Sequence, residues 1–129
     1  MLMVNQDIFA FLTALGLPAG RSSSGAPLLR PEDFRTAYQR DSNAILLDVR
    51  TPGEYASGHI EGARLLDFNS GDAFQKGISL LDKEKTYYLY CHSGNRSGQA
   101  ARCMKARGLN VVELQGGILA WSLVGLPLV

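Results

Sequence analysis

The chain has 129 residues, 46% of them hydrophobic and 19% charged, with a formal net charge of +1. That length suits one domain with a real core, and the composition is that of an ordinary globular protein. Near-neutrality without any lysine- or arginine-rich run leaves no electrostatic case for binding nucleic acid or an anionic membrane.

The first seven residues, Met1 to Asp7, lack the positive start of a signal peptide, and Asp7 interrupts the apolar stretch. No apolar run approaches the roughly 20 residues that span a bilayer. A cytoplasmic protein is expected; a periplasmic one would follow only if a signal peptide had been removed. Ile8, Phe9, Phe11, Leu12 and Leu15 fall at helical spacing, which predicts an amphipathic helix over 5–16 capped by Asn5 or Asp7. Pro18 to Gly25 is a loop or linker by composition. Residues 1–25 are therefore expected as an appendage to a main domain at 26–129. Its apolar stripe needs cover, either on the domain surface or, as the sharper alternative, at a dimer or partner contact.

From residue 27 strand-like and helix-like segments alternate. Leu28-Leu29 is a short strand. Pro31 opens a helix to about Arg40, suited to its first turn. Ala44 to Val49 reads as a strand buried on both faces. Pro52 to Ala56 is a short helix stopped by Gly58, and Ala63 to Leu66 is another strand. Ser70 to Leu80 holds a loosely periodic helix, and 82–85 a charged turn. Thr86 to Tyr90 is a strand, 97–107 a helix capped by Gly108, and Val111 to Leu114 the last strand. Gly116-Gly117 leads into a helix carrying Ile118, Leu119 and Trp121. This alternation predicts an α/β fold with a mostly parallel central sheet of about five strands and helices on both faces. In such sheets ligands bind beyond the carboxyl ends of the strands.

Cys91 stands at one of those ends, with a helix about to begin. The residues after it, His92-Ser93-Gly94-Asn95-Arg96-Ser97, are small or polar and include an arginine. Backbone N–H groups of such a loop curl around a sulfur, and the helix N-terminus adds positive potential. Both favour the thiolate, which is the nucleophilic form. Gly94 allows a sharp turn, Ser93 and Ser97 add hydroxyls, and Arg96 is placed to fold back beside the loop and favour an anion. Four residues separate Cys91 from Arg96. Cysteine phosphatases have five, and their wider cradle holds a tetrahedral oxyanion; the tighter one here suits a single extra sulfur, held as a persulfide.

Four pieces occur in order: Leu47-Asp48-Val49-Arg50 with Glu54-Tyr55, Gly58-His59-Ile60-Glu61-Gly62-Ala63, the Cys91 to Ser97 loop, and Gly116-Gly117 with Trp121. Over roughly residues 26–127 the chain resembles a single-domain rhodanese, a sulfurtransferase. The resemblance implies that Cys91 takes a sulfane sulfur from a donor such as thiosulfate. It then passes that sulfur to cyanide, a thiol or a cysteine of a partner protein. No cofactor is implied beyond the covalent persulfide. The alternatives are a sulfur-carrier module serving one partner protein and a cysteine phosphatase or arsenate reductase, against which the short loop argues.

His92 stands where arginine is frequent in the family. Arginine would offer an anionic donor a permanent charge; His92 offers one only when protonated, and is otherwise a loop residue whose N–H matters. Asp48 and Arg50 lie near the same sheet edge. Asp48 is expected to bond loop N–H groups or an arginine, and Arg50 to pair with Glu54. His59 is expected in a structural hydrogen bond, and no metal site is indicated. Cys103 is expected in the core, packed through a run of small residues, and Trp121 as a core anchor. A helical rise of ~1.5 Å per residue places the two cysteines on the order of 10 Å apart, too far for a disulfide. Free thiols fit a reducing compartment.

Overall fold

Strand β5 (Thr86–Tyr90) runs through the middle of the molecule with all five residues buried. Its aromatic and β-branched side chains favour the pleated, two-sided packing of a central strand. The computed structural model describes residues 7–129. In it, β1 (Gly20–Arg21), β2 (Pro27–Leu29), β3 (Ala44–Asp48), β4 (Arg64–Leu65), β5 and β6 (Asn110–Leu114) form one sheet in the order β1-β2-β6-β5-β3-β4. Every pairing is parallel except that of β1 with β2. The sixth strand, β1, lies inside the segment expected as a linker. It adds an antiparallel edge through Gly20 opposite Leu28 and Arg21 opposite Pro27. Two residues are too short to leave a pattern in the sequence.

Helix α1 (Ile8–Ala14) precedes these strands, α2 (Pro31–Arg40), α3 (Pro52–Ser57), α4 (Asp72–Ser79) and α5 (Asn95–Ala106) lie between them, and α6 (Gly117–Leu123) follows the last. Asp7 caps α1 by accepting from the N–H groups of Phe9 and Ala10; Asn5, the other expected cap, lies outside the described residues. A 3₁₀ turn (Phe68–Ser70) precedes α4, so the loosely periodic stretch is two short pieces. Helix α5 starts at Asn95, two residues earlier than expected. At its other end Gly108 takes a φ of 82° just beyond the last turn. There the Leu109 N–H reaches the Met104 carbonyl at 3.1 Å.

The alternation along β5 divides the core. Tyr88 and Tyr90 face a cluster with Phe34, Ala37, Ile118 and Trp121. Tyr87, Leu89 and Cys91 face the opposite cluster, with Phe74, Ile78, Ala100, Ala101 and Met104. Burial of each large side chain contributes about 1.5–3 kcal/mol. Leu12 is fully buried in the first cluster, with Ile8 and Phe11 packed against it. The stripe of α1 thus packs in part on the domain, with Leu12 buried and Ile8, Phe9, Phe11 and Leu15 half-buried. The Arg21 guanidinium sits 4.2 Å from the Phe9 ring centre and ties α1 to the β1 edge.

Parallel register brings the strand ends together. Asp48 is paired with Tyr90, and the Val49 N–H donates to the Tyr90 carbonyl at 3.0 Å. Asp48 and Cys91 therefore emerge side by side at the carboxyl edge of the sheet.

Candidate active site

Cys91 follows the last residue of β5 and Asn95 opens α5, so only four residues, Cys91 to Gly94, turn the chain from strand to helix. Gly94 makes this turn feasible as the N-cap of α5, with φ at 113°, a region closed to most side chains. Its N–H donates to Cys91 Sγ at 3.0 Å. The thiol in turn lies 3.5 Å from Ser97 Oγ, and that hydroxyl donates to the Gly94 carbonyl at 3.2 Å. Cys91 is 1% exposed and Ser97 is wholly buried. The sulfur thus sits at the bottom of its loop, at the positive end of a 12-residue helix.

The outer side of the loop is held from behind. The Cys91 carbonyl accepts from the Ile118 N–H at 2.9 Å, and the His92 carbonyl from the Leu119 N–H at 3.0 Å. A trans peptide points its N–H opposite to its carbonyl, so the N–H groups of His92 and Ser93 are turned away from α6. This close approach explains Gly116-Gly117. A Cβ at Gly117, whose φ is 64°, would lie 2.7 Å from the Cys91 carbonyl oxygen and overlap the carbonyl of His92.

Two arginines stand near the sulfur, each held by a carboxylate. Arg50 and Asp48 are buried together. Asp48 Oδ1 accepts from the Arg50 backbone N–H at 2.9 Å, and its two oxygens accept from Nε and Nη2 at 2.6–3.1 Å. Nη2 also donates to the Gly58 carbonyl at 2.7 Å, fixing the end of α3. The Tyr90 hydroxyl accepts from the Ile60 N–H at 3.0 Å; burial, with the Asp48 charge, pushes its titration up. Asp48 thus serves a strand end and an arginine, as expected.

The expected partner of Arg50 was Glu54, and that pairing does not form. Glu54 instead binds Arg96, 42 residues away, through two parallel bonds of 2.7 and 2.9 Å. Arg50 is too close in sequence to the strand end to reach past Asp48. Glu54 is fixed on its own helix by a reciprocal cap: the Thr51 N–H donates to it at 3.2 Å, and its own N–H donates to Thr51 Oγ1 at 3.3 Å. Its bonds to Arg96 hold its pKa down to about 2, and the same bonds raise that of Arg96. Arg96 was expected to lend its charge to an anion at the loop; it is already engaged. Glu54 is the site residue that sequence reasoning missed as a partner of the loop. The Thr51-x-x-Glu54 pattern marked a cap, and nothing in it pointed across the sheet edge.

The remaining loop side chains, His92, Ser93 and Asn95, are exposed. Asn95 Oδ1 accepts from Gln99 within the first turns of α5. A cleft of about 360 Å³ is lined by Ser93, Gly94 and Asn95, by Gly98 and Arg102 of α5, and by Glu113 of β6. Cys91 is not part of that lining. Glu113 is buried and accepts from Ser24 Oγ at 2.6 Å, which ties the β1–β2 turn to the sheet.

His59 lies in a structural contact, its ring stacked on Tyr55 at 3.7 Å and its Nδ1 2.9 Å from the Tyr55 carbonyl. Trp121 is buried and donates to the Pro127 carbonyl at 2.9 Å. Cys103 departs from expectation: it is half-buried, with Gln75 Nε2 3.7 Å from its sulfur. It sits where α5 meets the exposed face of α4, one position off the buried row of Ala100, Ala101 and Met104. Both thiols are free. Among the described residues, no group of three or more His, Cys, Asp and Glu stands together, and no helix is long and apolar enough to cross a membrane.

The model of the Rhodanese-like domain family matches residues 31–123. The chain belongs to that family. The match takes in the Cys91 loop, the Glu54 partner and the glycines behind them. A thiosulfate sulfurtransferase, GlpE of Ectopseudomonas mendocina, is 35% identical over 83 residues, which are 64% of this chain and 73% of that protein. A probable adenylyltransferase/sulfurtransferase, MoeZ of Mycobacterium tuberculosis, is 35% identical over 120 residues, covering 90% of this chain. The chain spans only 29% of that longer relative. Among solved structures, a rhodanese-related protein of Thermoplasma volcanium superposes with a TM-score of 0.70 at 28% identity, covering 85% of this chain and 98% of that one. The α/β architecture expected from the alternation of strands and helices, and rhodanese-like by the motif resemblance, is thus the observed one, with one strand more than expected.

Proposed function

We propose that the protein is a rhodanese-type sulfurtransferase that carries sulfur as a persulfide on Cys91. The observation that carries this reading is the Gly94 N–H donating to Cys91 Sγ at 3.0 Å at the start of α5. Such donors stabilise charge on a sulfur in place, without reorganisation. In the first step the Cys91 thiolate attacks the outer sulfur of a donor such as thiosulfate. A new S–S bond forms at Sγ, the old S–S bond breaks, and sulfite leaves with the electron pair. In the second, an acceptor thiolate or cyanide attacks that outer sulfur, and the pair returns to Sγ. Atoms and electrons balance with no cofactor.

The small loop and its partnered arginine weigh against a phosphatase or arsenate reductase. A phosphoryl cradle needs the arginine's donors for the oxyanion, whereas Arg96 gives two of them to Glu54. The two free thiols support a reducing, cytoplasmic setting.

The test is intact mass after incubation with thiosulfate and removal of the donor. The wild type gains the mass of one sulfur, and Cys91→Ser gains none. An unmodified wild type that instead turns over an aryl phosphate would sink the reading. Stoichiometric loading with very slow turnover to cyanide, together with fast transfer to a protein thiol, would identify the sulfur-carrier alternative.

A further inference from the structure

The Cys91 loop and the strand end beneath it contain three basic side chains, and their charges are not equally available. Arg50 is buried against Asp48 at 2.6 Å. Arg96 binds both oxygens of Glu54. His92 is exposed and carries charge only when protonated. The Glu54–Arg96 pair is the one that reaches solvent, with about a quarter to a third of each side chain accessible (23% and 33%). Arg96 stands next to Ser97, whose Oγ lies 3.5 Å from Cys91 Sγ, so the pair sits on the turn that holds the sulfur. An anion approaching Sγ therefore meets a cation and a carboxylate together.

We propose that Glu54 is the specificity-determining residue of this site. By holding Arg96 it removes the cationic pull that would draw the dianion thiosulfate, and so shifts the preference of the site toward sulfane-sulfur donors with at most one negative charge. The inference rests on the sulfur-transfer reading above. Its physics is simple: at a given distance a carboxylate repels a dianion twice as strongly as a monoanion. The capping role of Glu54 does not require its charge, because Gln offers the same acceptor to Thr51.

The test compares two donors that react alike and differ in charge. Thiosulfate releases sulfite, and methanethiosulfonate, a monoanion, releases methanesulfinate; both leave one sulfur on Cys91. In Glu54→Gln, kcat/KM rises about tenfold for thiosulfate and about threefold for methanethiosulfonate, the logarithmic gain following donor charge. Equal gains, or none, would overturn the proposal, because an effect through the Cys91 thiolate or through the fold moves both donors together. A second arm needs no variant. In the wild type the ratio of the two kcat/KM values changes by less than about twofold as ionic strength is raised through the range where the screening length drops from ~30 to ~8 Å. A ratio that collapses against thiosulfate would reveal a net cationic mouth and overturn the proposal. If neither donor places sulfur on Cys91 of the wild type, it is the parent reading that fails.

Discussion

The two arginine–carboxylate pairs beside Cys91 are built from the same chemistry and placed in opposite settings. Asp48–Arg50 is made between neighbours in the chain and lies out of water, with side chains 0% and 6% exposed. Glu54–Arg96 joins two helix starts far apart in sequence and stands partly in solvent. A buried pair cannot be adjusted, because each charge depends on the other for its only compensation. It fixes the end of β3 and the end of α3. A half-exposed pair contributes little to stability, yet Arg96 stands on the loop that holds the sulfur. The contrast separates scaffold from tuning within one sheet edge.

The largest expected effect falls on the buried member. Asp48→Ala leaves the Arg50 guanidinium buried without a counter-charge and costs about 3–5 kcal/mol, read as a shift in the urea midpoint. A loss under about 1 kcal/mol would erase the distinction between the pairs. Arg96→Ala is expected to do the reverse. Stability stays within about 1 kcal/mol, while the rate of sulfur loading from thiosulfate falls at least about tenfold, measured by quenched intact mass.

Acid titration sharpens the comparison further. Glu54 has its pKa depressed to about 2 by Arg96. A depressed carboxylate adds stability above its unfolded value, about 4.3, and loses it as pH falls through the folded one. The stability gap between wild type and Glu54→Gln therefore stays constant above about pH 5 and closes toward pH 2. Its size is at most about 1 kcal/mol, because the pair is screened by solvent. Urea midpoints of both proteins at several pH values measure it; a gap that widens on acidification has the wrong sign. The smallest effect belongs to Cys103→Ala, which touches neither pair. Loading is unchanged and stability moves by about 1 kcal/mol or less, as for a half-buried residue outside any network.

What the sequence made legible follows from the range of the interactions involved. The alternation of apolar strands with helices, the turn at Cys91 and the close spacing to Arg96 are local patterns, and they led to the observed fold and loop. The Asp48 bond to an arginine was also readable, since Arg50 is two residues away. The partner of Arg96 was not, because the Glu54 contact exists only after α3 and α5 are placed at the same edge. For the same reason the sixth strand, two residues long, became visible only through its pairing with β2. Cys103 was misplaced by one helical position, since small neighbours reveal close packing without showing which flank of the helix faces it.

The bonds from Ile118 and Leu119 to the carbonyls of Cys91 and His92 also impose an order of events. The nucleophile is translated well before the helix that organises it. Until α6 has been made and docked, those carbonyls have no partner there and the loop has no backstop. A chain shortened before α6 therefore leaves both carbonyls of the Cys91 loop without these donors, and the setting of the thiol depends on residues far downstream of it.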